Sequence, residues 1–208
     1  MSGKDLALLG LFLVVGHFLH RALVYWRYRK VEAPLEAGAF AEEALRRYLT
    51  GFRVRVGRRN GVRFREREVR LTEAVMRGRS LYHLAVAAHE VGHALQWRAR
   101  EELVRNTQAA LTLGFGLLVL GFLLGPTELS ALLVFGGYGF VLLSLPLELD
   151  ANRRGLEALP PEVREGVKRV MTALTASYLV VPLGGMLMVA GWLMERSYLQ
   201  AGGVDVSL

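Results

Sequence analysis

Three residues within Ala85 to Trp97 (AVAAHEVGHALQW) have types and a spacing suited to hydrolysis: His89, Glu90 and His93, in the order His-Glu-x-x-His. The Ala and Leu content and the lack of Pro favour a helix, and residues four apart on a helix project from one face, one above the other. The two imidazoles can then share a metal ion. Glu90 is rotated by about 100° round the axis, so it cannot ligate the ion beside them but can hold a water bound to it. This is the geometry of a zinc hydrolase. The bare pattern arises by chance in very roughly one chain of this length in a few hundred, so its surroundings matter. Ala87, Ala88, Val91, Gly92, Ala94 and Leu95 are uncharged, as a helix carrying a buried metal requires. The competing account is a core helix with two hydrogen-bonded histidines.

Structural zinc sites take four protein ligands, whereas hydrolytic ones take three and leave the fourth position to water. The chain has no cysteine, so a third ligand must be a carboxylate or another histidine. Glu148, in Glu148-Leu149-Asp150-Ala151-Asn152, is the best candidate, and Asp150 is the alternative. A helix there puts Ala151 and Asn152 one turn on along the same face. The small Ala151 allows close approach to the motif helix, and Asn152 could hydrogen-bond a metal-bound histidine. His83 lies in line with Glu90 but almost two turns away, about 10 Å, and is not expected to ligate. For a second donor to an oxyanion, Arg153, Arg154 and Tyr82 all stay open.

These residues must be positioned by a chain that is 52% hydrophobic, with mean hydropathy +0.29 and a formal charge of +7 over 208 residues. Membrane spans are the expectation. Leu6 to Trp26 is an apolar run of 21 residues, about 31 Å as a helix, and we take it as an uncleaved anchor. Ala109 to Gly125 and Leu129 to Leu147, joined by Pro126-Thr127-Glu128, form a transmembrane hairpin that returns Glu148 to the side where His93 was left. A fourth span covers about Val170 to Met194, after a polar segment in which Pro160-Pro161 can start a helix. His17 and His20, three apart in the first span, could face a partner or a metal.

Between the first two spans, residues 35–49 pattern as an amphipathic helix. FRVRVGRRNGVRFREREVRL then alternates apolar residues with arginine at period two around an Asn60-Gly61 turn signal, which predicts a short antiparallel sheet. Its arginines could suggest nucleic acid, but the exposed aromatics of a single-strand platform are missing. In this topology 24 of the 26 Lys and Arg residues fall on one side, leaving Lys4 and Arg196 opposite. The positive-inside rule puts the metal-bearing part in the cytoplasm, and topology rather than nucleic acid accounts for the charge.

The pairing of VAAHEVGHALQ with PLELDANRRGLEAL resembles the bacterial membrane neutral zinc metallopeptidases (the YugP-like family) and, more distantly, the HtpX-like and Ste-type membrane zinc peptidases. The resemblance covers most of the chain. It implies zinc bound by His89, His93 and Glu148, the first Glu of a Glu-x-x-Ala segment, with Glu90 as base. Where the distant relatives usually have Asp after that Ala, this chain has Asn152.

The expected fold is an α-rich α+β membrane protein with about four transmembrane helices and a small cytoplasmic zincin-like core containing a short antiparallel sheet. Its segments are a transmembrane anchor (1–30), the core with the motif helix (31–106), a transmembrane hairpin (107–147), a cytoplasmic segment with the third ligand (148–169), and a last transmembrane helix and tail (170–208). The expected activity is zinc-dependent endopeptidase, acting in the plasma membrane on membrane or misfolded proteins. Its partners are the lipid bilayer and a peptide or protein substrate, without nucleic acid. The sequence sets no oligomeric state. The alternatives are an inactive scaffold with a structural zinc site and metal handling by His17 and His20.

Overall fold

Long runs rich in Leu, Ala, Val and Phe make helix the dominant element. The computed structural model describes residues 1–201, so the end of the expected tail, 202–208, lies outside the described residues. The helices are α1 (Gly3–Tyr28), α2 (Ala37–Tyr48), α3 (Glu73–Met76), α4 (Leu81–Leu123), α5 (Glu128–Leu142), α6 (Leu145–Glu157), α7 (Pro161–Thr175) and α8 (Ser177–Ala201). Between α2 and α3 lie β1 (Arg53–Val56), β2 (Gly61–Arg63) and β3 (Glu68–Leu71). Among the described residues, four helical stretches are long and apolar enough to cross a membrane: Gly3–Tyr28, Leu81–Leu123, Glu128–Glu157 and Pro161–Leu199.

The expected sheet is corrected, and two of the apolar stretches contain a break. The sheet is mixed rather than antiparallel, with order β1-β3-β2. Strand β1 runs parallel to β3, Val54 facing Val69, and only β2 is antiparallel to it, Val62 facing Val69. Asn60-Gly61 therefore closes no β1–β2 hairpin. The Asn60 side-chain oxygen instead accepts the Thr72 amide proton at 2.7 Å, and the true hairpin turn is Phe64 to Arg67, where Arg67 takes φ 53°. The third apolar stretch is also interrupted after Leu142, so Glu148 falls in the first turn of a separate helix, α6. The fourth is likewise broken at Ala176, between α7 and α8.

The chain divides into two compact units. One comprises Met1–Leu19, Thr107–Leu145 and the chain from Ala176. Here small residues bring helices together. A Cβ added at Gly10 would lie 2.4 Å from the Gly184 carbonyl oxygen, and one at Gly114 would lie 3.0 Å from that of Gly137, so α1 meets α8 and α4 meets α5 almost backbone to backbone. Such contacts suit helices in lipid, where apolar burial drives no association and close packing must. Outward lie Leu8, Phe12, Phe122 and Leu132, each more than 60% exposed, a surface far more apolar than water-soluble units present.

The other unit comprises His20–Asn106 and Pro146–Thr175. Its core gathers Phe40 and Leu45 of α2, Val69 and Leu71 of β3, Leu84 and Val91 of α4, and Val167, Val170 and Met171 of α7. Buried Glu68 of β3 is paired with Arg53 at 2.8 Å and with Arg70 at 3.0 Å. Helix α4 has a non-helical residue at Arg100, which separates the motif-bearing part from the apolar part that follows. The motif part crosses α6 at two glycines. A Cβ on Gly92 would come within 2.0 Å of the Ala151 carbonyl oxygen, and one on Gly155 within 2.1 Å of that of Ala88. Ala151 itself is fully buried.

Because backbone stands on both sides of this crossing, Gly92→Ala should force the helices apart. We expect a loss of roughly 1–3 kcal/mol, as overpacking usually costs, read as a lower unfolding temperature in detergent. Gly116→Ala, whose added Cβ meets nothing within 4 Å, should leave the temperature unchanged or slightly raised.

Candidate metal centre and catalytic glutamate

The Gly92–Gly155 crossing sets Glu148 opposite the motif histidines. Helical spacing turns His89 and His93 to the same side, and their Nε2 atoms are 3.2 Å apart. Glu148 Oε2 lies 3.2 Å from His89 Nε2 and 3.5 Å from His93 Nε2. Within the described residues, these three form the group with metal-ligand atoms close enough to share one ion.

The remaining ring nitrogens are fixed by side-chain amides. His89 Nδ1 is 2.7 Å from Asn152 Oδ1, and Asn152 Nδ2 donates to Thr175 Oγ1 at 2.7 Å. His93 Nδ1 is 3.0 Å from Gln96 Oε1, and Gln96 Nε2 donates to the Leu147 carbonyl at 2.6 Å and to Asp150 Oδ2 at 3.1 Å. Each amide turns its oxygen to the ring and its nitrogen to another acceptor, so each Nδ1 carries a proton and each Nε2 presents a lone pair when its ring is neutral. The fully buried Gln96 and Thr175 escaped sequence reasoning. Gln96, three residues after His93 in an otherwise apolar helix segment, was the available signal; Thr175 offered none.

Two imidazole lone pairs and a carboxylate oxygen thus converge at 3.2–3.5 Å. Glu148 Oε2 is buried and faces the two imidazoles. With both rings neutral, three mutually facing acceptors repel unless a proton or a metal cation lies among them. The edges of a tetrahedron of nitrogen and oxygen ligands about 2.0–2.1 Å from zinc are about 3.4 Å, so the observed triangle fits such an ion.

The electrostatics are consistent with that demand. Burial works against protonation of His89, yet the Glu148 carboxylate, the Glu90 charge and the Asn152 contact outweigh it and push His89 up to about 9. Burial would raise Glu148, but the two histidines hold it down to about 2. For Glu90 burial prevails. Its carboxyl stands above the ordinary range although His89 and His93 pull it down, and Glu148 adds to the rise.

The other sequence candidates lie outside the ligand triangle. Asp150 bonds Arg153 at 2.7 Å, Arg154 at 2.8 Å and Gln96, so it supports the centre through Gln96 and does not join the ligand triangle. Both arginines proposed as oxyanion donors are held by that carboxylate. Tyr82 packs edge-on against Tyr25, with ring centres 4.8 Å apart. His83 Nδ1 bonds Ser80 Oγ at 2.8 Å. His17 is buried with its Nε2 2.9 Å from Ser177 Oγ, while His20 is exposed.

A curated relative, "Putative membrane protease YugP" of Bacillus subtilis (strain 168), is 32% identical over 133 residues. That match covers 56% of this chain and 59% of the relative's own length. No solved structure matches the chain. The family described as "Putative neutral zinc metallopeptidase" matches over residues 8–197, the stretch that holds both the histidine pair and Glu148, and the chain belongs to that family.

Proposed function

We propose that the chain is a membrane-bound, zinc-dependent endopeptidase in which His89, His93 and Glu148 hold the metal and Glu90 is the general base. The observation that carries the reading is the convergence of the buried Glu148 Oε2 and the two imidazole Nε2 atoms within 3.5 Å of one another. Family membership supports zinc, and the absence of cysteine leaves nitrogen and oxygen ligands as the available set. When bound, zinc supplies a Lewis acid that polarises a carbonyl and brings a water's pKa towards neutrality.

The chain's own groups account for the remaining work. The amides of Asn152 and Gln96 hold the imidazoles in the tautomer that ligates. Glu90 takes a proton onto its carboxylate from the attacking water and returns it to the departing amine. Its burial keeps the protonated form within reach, which a base that must also act as an acid requires. Four long apolar helices and the relative's name support membrane residence. The skew of Lys and Arg supports a cytoplasmic location for the site. Glu148 directly follows the apolar stretch Leu129 to Leu147, which favours membrane proteins or misfolded chains as substrates.

In detergent with a casein-type substrate, Glu90→Gln should keep its zinc and lose activity by about 10²–10⁴-fold, the usual weight of a general base. Equal activity in the variant and the wild type would remove Glu90 from the chemistry. Glu148→Ala should lose zinc as well as activity, and full metal occupancy in that variant would refute the three-ligand site.

Proton and metal should also compete. His89 titrates above its ordinary 6.5, at about 9, so its contribution to metal-free stability is complete below pH 6.5 and lost as pH rises through about 9. Glu148 titrates below its ordinary 4.5, at about 2, so its contribution is present above pH 4.5 and lost as pH falls through about 2. Chelated protein should therefore unfold at its highest temperature between pH 4.5 and 6.5. Zinc affinity should rise by up to about tenfold per pH unit as the His89 proton leaves, a slope that zinc titration at stepped pH would measure.

A further inference from the structure

The metal centre leaves the most basic stretch of the chain unexplained. Residues 53–71 contain eight arginines against Glu66 and Glu68. The acidic groups are already committed: Glu68 pairs with Arg53 and Arg70, and Glu66 with Arg63. Among the described residues, Arg58 and Arg59, on the loop between β1 and β2, have no acidic partner within ion-pair distance.

This loop is built rather than loose. The Gly57 amide donates to the Leu71 carbonyl at 2.8 Å, and the Asn60 side chain receives the Thr72 amide proton at 2.7 Å. Both ends are thereby pinned to β3 and the residue after it. The loop borders an open cleft of about 750 Å³, lined by Arg58, Arg59, Arg63 and Arg70 among others. The acidic side chain lining it, Glu73, is paired with Arg77 at 3.2 Å. Val56, an apolar residue 60% exposed at the end of β1, borders the same cleft.

We propose that this cleft binds the phosphate-bearing headgroups of anionic phospholipids, with Val56 entering the interfacial layer beside them. Guanidinium groups match phosphate by paired hydrogen bonds as well as by charge. The exposed valine distinguishes a lipid interface from a site for free phosphate, which gains nothing from an apolar neighbour. A nucleic acid is less favoured, because the cleft lining contains no aromatic side chain on which a base could stack. Membrane residence, as proposed above and on which this inference rests, puts the chain where such headgroups are found. Each arginine near an anionic surface strengthens the contact roughly fivefold, and the pair roughly thirtyfold.

The absence of native cysteine makes a single-site test direct. The full chain carrying Val56→Cys, labelled with a polarity-sensitive fluorophore, would be placed in nanodiscs of phosphatidylcholine alone or with phosphatidylglycerol. We expect a blue shift and protection from an aqueous quencher only in the anionic discs. High salt should reverse both, and adding Arg58→Gln and Arg59→Gln should weaken protection roughly thirtyfold. Equal quenching in the two discs would overturn the proposal. So would loss of protection on adding millimolar inorganic phosphate at constant ionic strength, or protection by single-stranded RNA but not by anionic lipid. If the arginine variants fail to fold, the lipid and salt comparison on the labelled chain still decides the matter.

Discussion

The near contact of two helix backbones governs this site. Where α4 crosses α6, Gly92 and Gly155 each face a carbonyl with no room for a side chain. The approach sets several distances together. It lets the short Glu148 side chain reach both imidazoles, brings Asn152 to His89, and puts Gln96 within reach of the Leu147 carbonyl and Asp150. A wider crossing would lose these contacts together rather than one at a time, because they span the same interface.

Two different kinds of polar support follow. His89 is steadied through Asn152 by Thr175, at the end of α7, whereas His93 is steadied through Gln96 by α6 itself and by an Asp150 carboxylate held by two arginines. The first chain of bonds is neutral throughout. The second ends in the Arg154–Asp150 ion pair, both partners largely shielded from solvent, with the exposed Arg153 also on the carboxylate. Both hold the rings without placing another unpaired charge beside the ligand atoms.

What could be seen in advance depended on range. The pairing of His89 and His93 was legible because helical period alone puts the histidines on one face. That Glu148 would meet them was legible from ligand number and from the small Ala151 that follows it. The sheet was not, because strand pairing is non-local: alternation marked Val54, Val62 and Val69 as strand residues but said nothing of β1 lying parallel to β3. Asn60-Gly61 misled because its side chain serves the Thr72 amide instead of a two-residue turn. Thr175, 23 residues from its partner Asn152, has no local pattern to mark it.

The amide supports also bear on which ions the centre accepts. With Asp150 neutralised by its arginines, the acidic groups nearest the ligand triangle are Glu148 and Glu90. An ion of valence two balances them when both are ionised, while a monovalent ion leaves a buried negative charge and a trivalent one a buried positive charge. Uncompensated buried charge is costly. A metal held there as proposed would be selected first by valence, with ligand chemistry choosing among the dications that remain.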